Sequence, residues 1–154
     1  MQIVRAKRED AAVLTEIAFA AKRHWKYPES WIENWHELLT IKPEFIASHE
    51  TYAALVGGRT VGFYALAGTD DKLNLLHLWV LPNEMGRGIG RALFIHAVAR
   101  TRALGFENLE IESDPNAEGF YKLMGAHRIG ASIKEVEGQR RELPILVYEL
   151  EALQ

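Results

Sequence analysis

The chain has 154 residues, of which 18 are Lys or Arg and 21 are Asp or Glu, so its formal charge is −3. This length predicts one domain spanning residues 1–154, and the weakly acidic balance excludes a dedicated nucleic-acid binder, which needs a basic surplus. The sequence contains no cysteine, which excludes disulfides, thiolate metal sites and a cysteine nucleophile. No apolar stretch approaches the ~20 residues that cross a bilayer, and the charged N-terminal segment is unlike a signal peptide. We therefore expect a cytoplasmic protein that does not bind membranes.

The residue pattern in the first third of the chain predicts one strand followed by two helices. Ile3–Arg5 has the pattern of a short strand. Apolar residues then recur at helical spacing from Glu9 to His24, and again over residues 28–39. Pro28 suits the first turn of the second helix, and Pro43 is expected to end this helical region.

From residue 51 the apolar period changes to two, which is typical of strands. Runs over residues 51–56 and 60–67 flank Gly57 and Gly58, and this favours a hairpin because its tight turn requires positive φ. The nearly continuous apolar run Leu73–Leu81 predicts a strand buried on both faces. The remaining predicted elements are a helix over 88–104, a strand over 108–112, a helix over 115–124 and strands over 128–134 and 143–150. This order indicates an α+β or α/β fold whose mixed sheet contains one parallel βαβ unit.

The turn between the long apolar strand and the next helix, LPNEMGRGIGR over residues 81–91, is the most informative segment. Its three glycines remove side chains and let a ligand approach the backbone. The N–H groups at the start of the helix, together with Arg87 and Arg91, favour a phosphate or diphosphate group. The segment lacks the P-loop string, and a dinucleotide fingerprint would need a third glycine where Arg91 or Leu93 stands. A dinucleotide nevertheless stays an alternative ligand, because acidic residues follow about 20 positions later.

The same turn resembles motif A of the GCN5-related N-acetyltransferases, which reads Gln/Arg-x-x-Gly-x-Gly/Ala after a strand that ends in Val. Val80 lies near the end of the predicted strand, and Gly88 and Gly90 match the two glycine positions. Met85 departs from the motif, because the family usually has Gln or Arg there. Diphosphate binding at this position would then rest on the backbone, or Arg87 would compensate.

A second segment, DPNAEGFYKLMGA over residues 114–126, resembles the family's Asn-x-x-Ala-x-x-Phe-Tyr-x-x-x-Gly-Phe. Asp114 replaces the Asn of this pattern and Ala126 replaces its last Phe. Similarity at the level of motifs covers roughly residues 73–126, and the N-terminal third agrees only in the order of its elements. Two motifs in the right order on the predicted elements are far more specific than either motif alone.

The resemblance implies an acyl-CoA N-acyltransferase fold with a mixed, mostly antiparallel central sheet and helices on both faces. It also implies that an acetyl group passes from acetyl-CoA to the primary amine of a small molecule, by direct transfer in a ternary complex. In this family coenzyme A lies where parallel strands four and five splay apart. The positions that would hold it here are Leu78, Trp79, Val80, Met85, Gly86, Arg87, Gly88, Ile89, Gly90, Arg91, Asn116 and Tyr121. Among them, the Leu78 N–H would stabilise charge on the thioester oxygen.

The resemblance also implies catalytic roles. Tyr121 corresponds to the tyrosine near the sulfur of coenzyme A, whose hydroxyl would protonate the leaving thiolate; a packed aromatic side chain is the alternative. The attacking amine must be neutral, and Asn74 stands where many family members have a glutamate base. His77 is the leading candidate base because its ordinary pKa of about 6.5 suits proton transfer, and a structural buried histidine is the alternative. Glu112 and Asp114 are the next candidates.

Four aromatic residues, Trp25, Tyr27, Trp31 and Trp35, fall within eleven positions. Their spacing is typical of helix packing, but related enzymes place the first two helices over the acceptor pocket. Trp25, Tyr27 and Trp31, with Glu112, are therefore candidate acceptor-binding residues. The alternatives to a small-molecule enzyme are one that acetylates a protein N-terminus or lysine, and a catalytically silent acyl-CoA-binding module. The histidines are scattered, so we expect no metal, and the resemblance allows a homodimer formed through the last strands.

Overall fold

The computed structural model describes residues 1–150, and the last four residues of the predicted 1–154 domain lie outside that range. The strands are β1 Gln2–Arg5, β2 Glu50–Val56, β3 Arg59–Gly68, β4 Leu73–Val80, β5 Asn108–Glu112, β6 His127–Val136 and β7 Gln139–Glu149. The helices are α1 Ala11–His24, α2 Glu29–Asn34, α3 His36–Leu39, α4 Pro43–Ser48, α5 Ile89–Ala103 and α6 Glu118–Leu123. Short 3-10 turns lie at Arg8–Asp10, Pro82–Glu84 and Pro115–Ala117.

The seven strands form a sheet in the order β1-β2-β3-β4-β5-β7-β6. Strands β4 and β5 are parallel, with Leu73 opposite Leu109 and Leu75 opposite Ile111. The pairs β1–β2, β5–β7 and β6–β7 are antiparallel. The predicted mixed sheet and its parallel βαβ pair are thus confirmed.

Two compact units divide the chain, and the single-domain organisation remains a prediction. Within the described residues, the first unit comprises 1–65 and 77–94, and the second comprises 66–76 and 95–150. In the first unit, Leu14, Ile17 and Ala18 of α1 recur at helical spacing and are fully buried. They share a core with Phe63 of β3 and Ile46 of α4. This core supports the segments of the first unit that carry the site.

Strands β3 and β4 approach each other closely at Gly62. A Cβ atom at this position would lie 2.8 Å from the carbonyl oxygen of Trp79, so a larger residue would push the two strands apart. Next to this contact, the N–H of Leu81 donates to the carbonyl of Val61 over 2.9 Å. Gly62 therefore sets the position of the β4 backbone just before the glycine-rich turn.

In the second unit, Leu109 and Ile111 of β5 and Leu146 of β7 are buried. The β6–β7 hairpin turns through Glu137 and Gly138, which have φ of 48° and 76°. Both strands of this hairpin are longer than the sequence predicts. Within residues 1–150, no helix is both long enough and apolar enough to span a lipid bilayer.

Three local predictions are wrong. Pro43 does not end the helical region; it lies in the first turn of α4. A proline is tolerated there because the N–H group that it lacks would have no acceptor within the helix. The helix predicted over 28–39 is interrupted at Trp35, whose ψ of 7° departs from helical geometry. Strand β4 is not buried on both faces, because Leu76 is 44% exposed and its neighbours His77 and Leu78 are half-buried. Its two faces are covered unequally.

Candidate active site

The glycine-rich turn has the backbone geometry of an anion site. Gly86 and Gly88 both have φ of +81°, a conformation that costs other residues energy. No described atom lies within 4 Å of a Cβ built at either position, so the turn faces open space. Helix α5 starts at Ile89 and has no acidic residue in its first turn. Because the first N–H groups of a helix have no intrahelical acceptor, this geometry fits the diphosphate of coenzyme A.

Beneath this turn lies a buried carboxylate. The side chain of Glu84 is only 6% exposed and accepts hydrogen bonds from two arginines. Arg59 Nη2 donates to Oε1 over 2.6 Å, and Arg87 Nη1 donates to Oε2 over 3.1 Å. Arg87 and Arg91, both predicted from the sequence, are exposed, and Arg87 is ion-paired to Glu84. Sequence reasoning missed Arg59 and Glu84, although an acidic residue inside a phosphate-binding turn signals a nearby cation.

The predicted base, His77, lies on β4 with its ring packed against Phe45 and Phe63, at centroid distances of 5.7 and 6.0 Å. Trp79 Nε1 donates to His77 Nδ1 over 3.0 Å. Since an indole nitrogen can only donate, Nδ1 accepts and Nε2 carries the imidazole hydrogen. Burial, helped by repulsion from His49, lowers the pKa of His77 to about 4. His77 is thus neutral near pH 7, and it can take a proton at Nδ1 only after Trp79 releases it.

An aromatic cage surrounds the ammonium group of Lys22, a buried residue of α1. We use this name for Tyr27, Trp35 and Trp79. The Nζ atom lies 4.3 Å from the ring centroid of Trp35, 5.0 Å from that of Tyr27 and 6.0 Å from that of Trp79. Aromatic faces attract cations at these distances. The cage connects α1 and the residues around α2 with β4 inside the first unit.

The predicted acceptor residues divide between two environments. Tyr27 and Trp31 stack with their centroids 5.9 Å apart, and each makes an edge contact with Trp35. Trp25 makes its ring contact with His24 instead, at 5.0 Å. Of the three predicted aromatic residues, Tyr27 therefore belongs to the cage and Trp31 packs against it. The sequence did not indicate the participation of Lys22 or of the Trp79 side chain, because Trp79 lies 57 positions after Lys22.

Tyr121 belongs to the second unit, on α6, and is 7% exposed. Burial, together with the negative charge of Asp114, raises the pKa of its hydroxyl well above the ordinary value of 10. The hydroxyl consequently keeps its proton at any physiological pH. This is the state that a hydrogen-bond donor or general acid requires.

The loop before α6 is ordered by Asp114. Its Oδ1 accepts from the backbone N–H of Asn116 over 2.9 Å and from the Asn116 side-chain amide over 3.0 Å. Arg141 lies 3.8 Å from Oδ2, with both side chains nearly buried. Glu112, predicted to contact the acceptor, is exposed and 3.9 Å from Lys134. The second predicted motif is therefore built around the Asp that replaces its usual Asn.

Within residues 1–150, no group of three or more His, Asp or Glu side chains is arranged to hold a metal ion. A separate open cavity of about 400 Å³ lies in the second unit, lined by residues at the amino ends of β4 and β5 such as Leu73 and Asn108. Ligands of parallel sheets bind beyond the opposite, carboxyl ends of the strands. This cavity therefore lies at the end of the parallel strands opposite to the one where a ligand is expected.

The sequence profile of the Acetyltransferase (GNAT) family matches residues 14–126. The chain belongs to this family. The match begins well before the two motifs, so the family extends over the N-terminal third that agreed only in element order. The resemblance inferred from the motifs is confirmed.

A curated relative, serotonin N-acetyltransferase 2 (chloroplastic) of Oryza sativa subsp. japonica, is 37% identical over 79 residues. This match covers 49% of the chain and 38% of the relative, so the chain corresponds to well under half of that protein. A GCN5-related N-acetyltransferase from Rhodopseudomonas palustris aligns with a TM-score of 0.81 at 24% identity, covering 97% of this chain and 95% of the other. PaiA N-acetyltransferase from Thermoplasma acidophilum, solved in complex with coenzyme A, gives 0.75 at 21% identity, covering 96% and 98%. These likenesses confirm the predicted fold class.

Proposed function

We propose that the protein is an N-acetyltransferase that moves an acetyl group from acetyl-CoA to the primary amine of a small molecule. The observation that carries this proposal is the open glycine turn before α5, in a chain of the GNAT family. Acetyl-CoA supplies the acetyl group activated as a thioester. The N–H groups of residues 86–91 would bind its diphosphate, and the backbone of residues 78–80 would bind its pantetheine arm.

Two groups of the chain would act on the reacting atoms. The Leu78 N–H would donate to the thioester oxygen as negative charge develops there. The Tyr121 hydroxyl, kept protonated by its raised pKa, would donate to the departing sulfur. We assign His77 a positioning role rather than the predicted base role, because Trp79 occupies its only free lone pair. The acceptor amine would then lose its proton to water or to a carboxylate such as Glu112.

The acceptor is proposed to lie against the face formed by Tyr27 and Trp31. The stacked pair lies beside the cage, and its Tyr27 ring already contacts the alkylammonium group of Lys22 at 5.0 Å. The curated relative is named for serotonin, a primary amine on an aromatic ring system. Both points support a small primary amine with an apolar or aromatic body.

Tyr27→Leu is expected to raise KM for the acceptor about fivefold and to leave KM for acetyl-CoA unchanged, since about 1 kcal/mol of aromatic contact is lost. Steady-state kinetics with each substrate varied in turn measure this split. Tyr52→Leu, which alters a half-buried tyrosine of β2, is the matched control. Equal acceptor KM values for the two variants would assign Tyr27 to packing alone.

The proposed activity is tested by following thiol release from acetyl-CoA with a panel of acceptors. The panel contains serotonin, a simple alkylamine, a diamine and a short peptide with a free N-terminus. We expect the small amines to support turnover and the peptide to be a poor acceptor. Preference for the peptide would instead identify a protein acetyltransferase.

A catalytically silent acyl-CoA-binding module is the second candidate. It is favoured by Asn74, which stands in place of a glutamate base, and by the engaged lone pair of His77. Coenzyme A binding measured by calorimetry, without thiol release for any amine of the panel, would establish this alternative.

A further inference from the structure

A buried carboxylate joins two arginines from separate segments beneath the glycine turn. Glu84 is 6% exposed, whereas the side chains of Arg59 and Arg87 are 58% and 67% exposed. We name these three residues the arginine clamp. A buried carboxylate is tolerated only when it is paired, and here each of its oxygens accepts from one guanidinium.

The backbone explains how Arg59 reaches this place. Arg59 begins β3 directly after the Gly57–Gly58 turn, and β3 is tied to the end of β4 where Leu81 N–H donates to Val61. Glu84 follows three residues after Leu81, in the short 3-10 turn. The hairpin arginine and the turn arginine therefore meet at one carboxylate although they are 28 positions apart.

The clamp has the charge that an anion site needs. Two guanidiniums and one carboxylate leave one positive charge at the rim of the turn. A guanidinium has five N–H donors, and the hydrogen bond of each arginine to Glu84 uses one of them. The exposed remainder of each fork matches the oxygens of a phosphate group, which arginine binds with paired hydrogen bonds.

We propose that Arg59 and Arg87 donate hydrogen bonds to the diphosphate of the co-substrate. Glu84 is the positioning residue that orients both guanidinium groups. This inference rests on the proposed function, because it takes acetyl-CoA as the ligand of the turn. It assigns binding to a residue outside the turn, Arg59. It also gives the site charged donors where Met85 supplies none.

The test compares coenzyme A with pantetheine, which has the same arm but lacks the diphosphate and the 3′-phosphoadenosine attached to it. Calorimetry with coenzyme A and with pantetheine is done on the wild type, Arg59→Ala, Glu84→Gln and Arg5→Ala. Arg5 is the control because it is a half-exposed arginine of the same unit that is ion-paired to Glu50, away from the turn. We expect Arg59→Ala to weaken coenzyme A binding about tenfold and pantetheine binding not at all.

Glu84→Gln tests positioning separately. The neutral amide keeps the volume but no longer holds two guanidiniums, so coenzyme A binding should weaken several-fold while pantetheine binding is unchanged. Thermal unfolding of each variant checks that the fold is retained. An Arg59→Ala effect no larger than that of Arg5→Ala, or an equal loss for pantetheine, overturns the clamp.

Failure of the clamp and failure of the proposed acetyltransferase activity give different results. If the wild type binds coenzyme A but releases no thiol with any amine, the proposed activity fails and the affinity ratios still decide the clamp. If the wild type turns over and Arg59→Ala matches the control, the clamp fails and the activity stands. A wild type that binds pantetheine and coenzyme A equally well also overturns the clamp.

Discussion

Tyr121→Phe is expected to lower kcat about a hundredfold while the affinity for acetyl-CoA stays the same. The tyrosine ring is 7% exposed on α6, and phenylalanine keeps that ring and its packing. The substitution removes only the hydroxyl, which is proposed to donate to the departing sulfur. Loss of one such donor typically costs a factor of about 10²–10³.

The raised pKa of Tyr121 defines how this donor works. Burial and the nearby Asp114 charge make the hydroxyl less acidic than a free phenol, and a thiol has a pKa of about 8.5. Complete proton transfer to the thiolate is therefore uphill, and hydrogen-bond donation is the main contribution. The kcat of the wild type should show no alkaline decline from Tyr121 up to about pH 10, because its proton is still bound there.

Single-turnover and steady-state kinetics, with calorimetric Kd values for coenzyme A, measure the two effects of Tyr121→Phe separately. Tyr148→Phe, on the half-buried Tyr148 of β7, is the matched control in the same unit. If kcat of Tyr121→Phe stayed within threefold of the control, Tyr121 would be a packing residue. A parallel loss of coenzyme A affinity would indicate a disturbed α6 instead.

The parts of the fold that could be predicted are those with a strong local pattern. The hairpin between β2 and β3 follows from Gly57 and Gly58, both of which have positive φ. Helix α4 could not be predicted, because a proline such as Pro43 can stand either in the first turn of a helix or shortly after the end of one. Ile46, which is 1% exposed, decides between these, and its burial depends on packing that no local pattern contains.

The same distinction applies to the site. The glycine turn was predictable because a left-handed φ at Gly86 and Gly88 limits the residue type. The contact of Arg59 with Glu84 depends on the register of β3 against β4, which spacing along the chain does not give. The bond between Trp79 and His77 joins positions i and i+2 of one strand, which share a face, so it was within reach of sequence reasoning. Its effect on the predicted base role of His77 could not be foreseen, because that effect depends on which imidazole nitrogen accepts from Trp79.

His77 provides the second large effect, and two substitutions separate its possible roles. Asparagine presents an amide oxygen close to the position of Nδ1, so it can accept from Trp79 but cannot take up a proton. Alanine removes the acceptor and leaves a half-buried indole N–H unpaired. We expect His77→Asn to keep kcat within about threefold of wild type. We expect His77→Ala to lose about thirtyfold, because the released Trp79 side chain no longer fixes the segment of β4 beside the proposed donor Leu78. A general base would be lost equally in both, so equal losses of a hundredfold would restore the base role.

The stability of the fold at acid pH gives an independent readout of the same residue. The pKa of His77 is about 4 in the folded protein and about 6.5 in the unfolded chain. Between these values the unfolded state binds the additional proton, so the free energy of unfolding falls as pH decreases, by about 3 kcal/mol in total. Urea unfolding at pH 7 and pH 4 should therefore show a larger acid loss for wild type than for His77→Asn, which has no proton to bind. Identical losses would mean that the His77 imidazole is protonated in the folded state, and the Trp79 hydrogen bond to Nδ1 would then be absent at pH 4.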